Sequence, residues 1–441
     1  MPSFSEVKQW FQTQFEIFDR EINLRERKIH SKDVFYLMCL MVNKKYSYQA
    51  AVTEMRIDNF IDNISPQAFN RRIIDGRYVQ PFYKLCQQFV SKFIPSDAGE
   101  HVYAVDGSKI NLSLPMTEYG FTKIKRRPYA TGLVSVIFDI KHQVPVEYRL
   151  TNVMNERTLF YKQLMCLKME DQKQAVADWH GSDIFIFDRG YYSCEMIKQM
   201  NQLSQHYIFR VKNNLKIIEQ LEQSGCDDMV INLNGRPTRI VKYTVKDNSE
   251  LDLKIGSSGK IKLQLKTKIH HQKEIIYYLV TSLTDIEHYP ILKLKELYHR
   301  RWSVEEYYKK IKRNLVSGTF HARQLTSLET ELSIQQMINI LNRYFLNQLP
   351  QHKNYPVNQK ITTDMMIGKI LPDIIYGSSG TEVDAKISRI FNILQKNVVP
   401  IRPNRSFRRV KIFPVSKHIY QENKYAPVPV PAPAPDHLVT T

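Results

Sequence analysis

The feature that constrains this chain most is a change in apolar period at His101. Up to residue 98, apolar residues recur three and four apart in VKQWFQTQFEIF, DVFYLMCLMV and VQPFYKLCQQFVSKF, the spacing of helices with one buried face. Beyond it, the runs VYAVDG, ATGLVSVIFDI and VPVEYRL carry strand-type residues and are joined by short turns, which predicts a three-stranded antiparallel meander. A helix is predicted over 156–169, followed by a buried strand DIFIFD, a helix from Cys194 to Leu203 and a strand HYIFRV. Three strands followed by alternating helix and strand make an α/β fold: a mixed sheet covered by helices on both faces.

At 441 residues the chain exceeds what one core supports, so two or three units are expected. Strand alternation returns between 213 and 283 in RIVKYTVKD, LDLKI, KIKLQLKTKI and EIIYYLVTSL, with GSSGK as a hairpin turn, and reads as a β-rich insertion. Helices are predicted from Ile291 to Leu315 and from Ser327 to Leu349. The chain then reads as irregular, with a basic stretch IRPNRSFRRVK and a proline-rich tail favouring extended structure. These shifts divide it into 1–98 (helical, DNA-binding), 99–212 (core, first part), 213–286 (insertion), 287–350 (core, second part), 351–424 (basic) and 425–441 (disordered tail). In the first unit, SYQAAVTEM and ISPQAFNRRII place Ser at two helix starts, with Pro66 just inside the second. That pattern fits a helix-turn-helix exposing Arg71 and Arg72, and equally a plain helical bundle.

Lys and Arg outnumber Asp and Glu by 63 to 44, a net charge of +19, so the first partner expected is a polyanion, nucleic acid before others. The cysteines Cys39, Cys86, Cys166, Cys194 and Cys226 are odd in number and scattered, which argues against a disulfide framework or a zinc site. The longest apolar run, Val34 to Val42, is too short to span a bilayer, and the N-terminus lacks an apolar leader. A soluble, cytoplasmic, nucleoid-associated protein with no membrane partner is expected.

Asp106 ends the run VYAVDG and Asp188 ends DIFIFD, so each acid is delivered by a rigid strand to the crevice beyond the sheet. In ELYHRRWSVEEYYKKIKRNL, the residues Tyr298, Arg301, Glu305 and Lys312 fit Y-x-x-R-x-x-x-E-x-x-x-x-x-x-K. At roughly 100° per residue they fall within an arc of about 60° on one helix face. Leu297, Val304, Tyr308, Ile311 and Leu315 form a neighbouring apolar stripe that places this face at the edge of the core.

These stretches resemble the Asp-Asp-Glu (DDE) transposases of the bacterial insertion-sequence group called IS-four: YAVDGSKINL around the first acid, IFIFDRGYYS around the second, and the full signature around the third. The resemblance covers about residues 100 to 350. It implies a ribonuclease-H-like mixed-sheet catalytic core with a β-strand insertion behind an all-helical N-terminal domain. It further implies double-stranded DNA as partner, a homodimer on paired transposon ends and catalysis by Asp106, Asp188 and Glu305, which together hold two Mg²⁺ or Mn²⁺ ions. Asp106 would bridge the metals, and Tyr298, Arg301 and Lys312 would hold phosphates. Hard cations take oxygen ligands, and a pair about 3.5–4 Å apart serves in-line phosphodiester displacement. Arg189, Arg210, Lys212, Arg126 and Arg127 are expected to track the DNA backbone. His270 and His271 point to opposite faces of a strand and do not share a metal, and Trp302 is expected in the core. Two other functions stay open: a transposase-derived DNA-binding regulator that no longer cuts, and a nuclease without strand transfer. Inverted repeats flanking the gene would favour the transposase.

Overall fold

In the computed structural model the described residues are 4–22, 29–94, 100–123, 129–171, 183–247, 273–314, 322–349, 356–377 and 381–399. The N-terminal region folds as helices α1 (Phe4–Glu21), α2 (Ser31–Lys44), α3 (Tyr48–Ile57), α4 (Pro66–Ile74) and α5 (Val79–Phe93). Ser47 and Ser65 cap α3 and α4 as expected, each hydroxyl accepting from a backbone N–H three residues on at 3.2 Å. Arg71 is exposed, but Arg72 is not: it donates to the Ile29 carbonyl at 2.7 Å and holds the chain entering α2. The run Val34–Val42 is buried on every side in α2, and no helix among the described residues is long and apolar enough to cross a membrane.

The meander forms. β1 (Val102–Leu112) pairs antiparallel with β3 (Ala130–Asp139), β3 pairs antiparallel with β4 (Val144–Thr151), and a two-residue β2 (Thr122–Lys123) adds to the start of β3. Every residue of β3 is buried, which is why it reads as a nearly continuous apolar run. After α6 (Glu156–Asp171) comes β5 (Ile184–Phe187), then α7 (Cys194–Gln202) and β6 (His206–Val211), both strands parallel to β1. The order β4-β3-β1-β5-β6, with an antiparallel meander and two parallel strands, is that of a ribonuclease-H-like core.

Between 213 and 227 the sequence reading of unbroken strands is corrected. Helix α8 (Lys216–Ser224) forms there because Ile218 and Leu221, three apart, bury one face. The strands β7 (Asp228–Leu233), β8 (Arg236–Asp247) and β9 (Lys273–Thr281) then extend the same sheet from β6, in the order β6-β9-β8-β7. Fully buried Arg239 anchors them, forking onto Asp228 at 2.8 and 2.5 Å and donating to the Tyr289 carbonyl at 2.6 Å. LDLKI, KIKLQLKTKI, the GSSGK turn, His270 and His271 lie outside the described residues.

The helix expected from Ile291 to Leu315 divides into α9 (Ile291–Arg300) and α10 (Trp302–Asn314). At Arg301 the hydrogen bonds tighten to a spacing of three, from Arg301 N to Tyr298 O and from Val304 N to Arg301 O, each 3.1 Å. Its φ of −52° and ψ of −28° remain helical, so the run tightens without stopping. The long α11 (Leu325–Gln348) is buried along most of its length and packs on α2, α4, α5 and β4, so the N-terminal helices and the sheet share one apolar core.

The region after 350 is not irregular. It forms α12 (Gln359–Met365), a π-helical turn (366–370), α13 (Leu371–Tyr376) and α14 (Thr381–Lys396). Met366, Ile367, Ile370, Leu371, Ile374 and Ile375 bury a helical stripe against α1 and α2, and the Tyr376 hydroxyl donates to Asp33 at 3.0 Å. The basic stretch IRPNRSFRRVK and the proline-rich tail lie outside the described residues.

Candidate active site

β1 pairs with β5 only as far as Val105, whose partner is Phe187. Asp106 and Asp188 are therefore the next residues on two adjacent parallel strands, whose backbones stand about 4.8 Å apart. Asp106 does not end its strand, as the run VYAVDG predicted. β1 continues to Leu112 against β3, and it is β5 that stops, leaving an open notch beside the second half of β1.

α10 lies along this notch. The Tyr308 hydroxyl donates to the main-chain oxygens of Asp106 and Val134 at 2.8 and 3.0 Å, and Lys312 Nζ donates to Ser108 Oγ at 2.7 Å. These anchors bring Glu305, one turn earlier, to the side of Asp106. Arg301, 8% exposed, pairs with Glu305 and stands 4.0 Å from Asp106 Oδ2. Arg210 Nη2 lies 2.6 Å from Asp188 Oδ1, and its guanidinium sits 5.4 Å from the centre of the Tyr277 ring. Strand register and helix docking thus bring three acids that are far apart in the sequence to the borders of one notch, two of them paired with arginines.

A family model described as the transposase DDE domain matches residues 97–341. The chain belongs to that family. The transposase InsG for insertion sequence element IS4, from Escherichia coli (strain K12), is 22% identical over 245 residues, 54% of this chain and 52% of that protein. The chain therefore spans about half the length of that relative. A cryo-EM structure of the piggyBac transposase synaptic complex with hairpin DNA gives a TM-score of 0.41 at 12% identity, covering 91% of this chain and 85% of that one.

In this transposase-family chain, the acids around the notch offer oxygen donors only, the set a hard divalent cation takes. Arg301 stands between Asp106 and Glu305 as a cationic stand-in. Among the described residues no three acidic, His or Cys side chains converge on one point, and Arg210 and Arg301 are paired with Asp188 and Glu305. The donors fit such an ion in kind and charge. Burial pushes the Asp106 carboxyl up to about 7, with Arg301 opposing and Glu156 and Glu305 adding to the rise. Burial lowers the Lys312 ammonium, against the pull of Asp106.

Tyr298 is buried, and its hydroxyl is pushed up to about 12, chiefly by burial, with Arg301 and Arg210 opposing. Arg189 and Lys212, just past the ends of β5 and β6, are exposed. Arg126 and Arg127 lie outside the described residues. Trp302 is not in the core: it is 49% exposed, donates to Glu306 at 3.1 Å and has Lys309 5.0 Å from the centre of its ring. Cys39 and Cys86 are buried and Cys194 and Cys226 exposed, all four unbridged. Two residues of the site were missed by the sequence reading. Glu156 begins α6 and Tyr191 follows Asp188 by three, and both are charge neighbours of Asp106 and Asp188. The only advance signal was Tyr191 within IFIFDRGYYS; Glu156 read as an ordinary helix start.

Proposed function

We propose that this chain is a DNA transposase that cuts at transposon ends and joins the freed strand to target DNA, with Asp106, Asp188 and Glu305 as its catalytic acids. The observation that carries this reading is the register of β1 on β5, which places Asp106 and Asp188 side by side where α10 presents Glu305. Asp106, Asp188 and Glu305 would hold two Mg²⁺ or Mn²⁺ ions, which would supply Lewis acidity to the scissile phosphate and lower the pKa of the attacking water or 3′-hydroxyl.

The chain's own residues bind and orient the DNA. Lys312, Arg189 and Lys212 attract the phosphate backbone as point charges and forks, and the +19 balance draws in the duplex. Arg301 and Arg210 exchange their carboxylates for phosphate oxygens as DNA enters, the buried Tyr298 ring lying under the Arg301 guanidinium and the Tyr277 ring under that of Arg210. The helical region 1–98 binds the ends, 213–286 is the strand insertion of the 99–350 core, and two copies act together on paired ends.

The test is cleavage of cognate end DNA with Mg²⁺ or Mn²⁺ by Asp106→Asn, Asp188→Asn and Glu305→Gln. Each is expected to lose cleavage by a factor of about 10³ or more while gel-shift affinity for the end persists. Undiminished cleavage by any one variant removes that residue from the site.

A further inference from the structure

Alternation along β1 sends neighbouring residues to opposite faces, so Gly107 opens on the face away from Asp106. A Cβ built on Gly107 would lie 2.8 Å from Glu156 Cγ and 3.0 Å from its Oε1. The Glu156 side chain therefore fills the place of the side chain that Gly107 lacks. It reaches the notch from the α6 side, opposite to Glu305, and has Asp188 and Lys109 as charged neighbours. An acid in the first turn of a helix is favoured by the helix dipole, and that alone would leave it turned to solvent with no need for a glycine beneath it. Here it is half-buried, pressed on the backbone beside Asp106, and accepts no hydrogen bond among the described residues.

A second observation points the same way. Tyr191 is fully buried, and its hydroxyl has no hydrogen-bond partner among the described residues. Its charged neighbours are Glu156, Asp106, Asp188 and Arg301. Burying an unpaired hydroxyl costs about 1–3 kcal/mol, a cost that a ligand oxygen reaching it would remove. A donor held among three carboxylates suits an oxygen-rich group that is not part of the folded chain, such as a metal-bound water or a phosphate oxygen.

We propose that Glu156 is a fourth carboxylate of the catalytic centre, a divalent-cation ligand that works with Asp106 and Asp188 from the face opposite to Glu305, with Tyr191 orienting the oxygens between them. This rests on the reading of Asp106 as a cation-binding acid. It gives Gly107 a reason: any side chain there would push Glu156 out of the notch.

The experiment is titration of Mn²⁺ into the full-length, DNA-free protein, followed by the electron paramagnetic resonance of the free ion, with thermal melting of each variant. Glu156→Gln is expected to weaken Mn²⁺ binding roughly tenfold to a hundredfold with melting nearly unchanged. Gly107→Ala, which keeps every carboxylate but displaces Glu156, is expected to weaken it as well. Asp106→Asn is the control for the underlying reading. If Asp106→Asn loses Mn²⁺ while Glu156→Gln binds it like the parent, Glu156 only starts a helix and this inference is overturned with the proposed function intact. If Asp106→Asn itself binds like the parent, the metal reading of the whole site falls, and this inference with it.

Discussion

Two carboxylates lie buried in this protein in opposite circumstances. Glu147, on β4, is fully buried at the seam with α5, where it accepts from the Tyr83 hydroxyl, from Gln87 Nε2 at 3.1 Å and from Arg149 Nε at 2.9 Å. Asp106 sits in the notch with Glu156 and Glu305 as like-charged neighbours and the unpartnered Tyr191 hydroxyl close by. Burial raises both carboxyls, but only at the seam do hydrogen bonds from three side chains answer it. A closed polar network joins two parts of the fold, whereas an open one spends stability to keep donors available for a ligand.

The comparison can be broken first at the seam. Glu147→Ala leaves Tyr83, Gln87 and Arg149 without their common acceptor, and removing one partner of a buried ionic network costs about 3–5 kcal/mol. Denaturant unfolding should show this loss while Mn²⁺ affinity at permissive temperature stays parental. An unchanged unfolding midpoint would mean that the seam does not hold α5 to the sheet.

At the notch the effect should have the opposite sign. The Asp106 carboxyl titrates at about 7 in the folded chain against an ordinary 3.8. A raised folded pKa means that its contribution to stability is complete below about 3.8 and is lost as pH rises through about 7. In chelator, Asp106→Asn should therefore melt above the parent, the gap opening between those two pH values, levelling above them and reaching on the order of a few kcal/mol. A gap that does not change with pH would show that Asp106 is already well solvated.

The comparison is sharpened by the cations. Lys312→Ala and Arg301→Ala should slow cleavage on pre-formed end complexes on the order of 10²-fold, because they position reacting atoms without ligating a metal. Lys at 301 should rescue poorly, since a point charge cannot span Asp106 and Glu305. Parental time courses, with melting as the control, would make α10 a solvated face.

How much of this was legible follows from what each signal reports. The serine caps at Ser47 and Ser65, the meander, the alternation into β5 and β6 and the elements that carry Asp106, Asp188 and Glu305 could all be read, because each is written in local spacing or in a contiguous motif. The helices after 350 were lost because their apolar stripe is short and interrupted by Gly368 and Pro372, and it becomes a helix face only against α1 and α2. The tightening at Arg301 was invisible because its dihedrals are still helical. By itself the sequence determined the apolar face of the helix that carries Glu305 and the strands that carry Asp106 and Asp188, since the periods of 3.6 and 2 are properties of the local backbone. Only the tertiary structure decided that β5 stops beside Val105, that Glu156 rests on Gly107 and that Tyr191 has Glu156, Asp106 and Asp188 as charged neighbours. Val105 with Phe187, Gly107 with Glu156 and Asp106 with Tyr191 are meetings of residues 82, 49 and 85 positions apart, set by strand register and sheet order, and no local period encodes which distant chain will lie alongside.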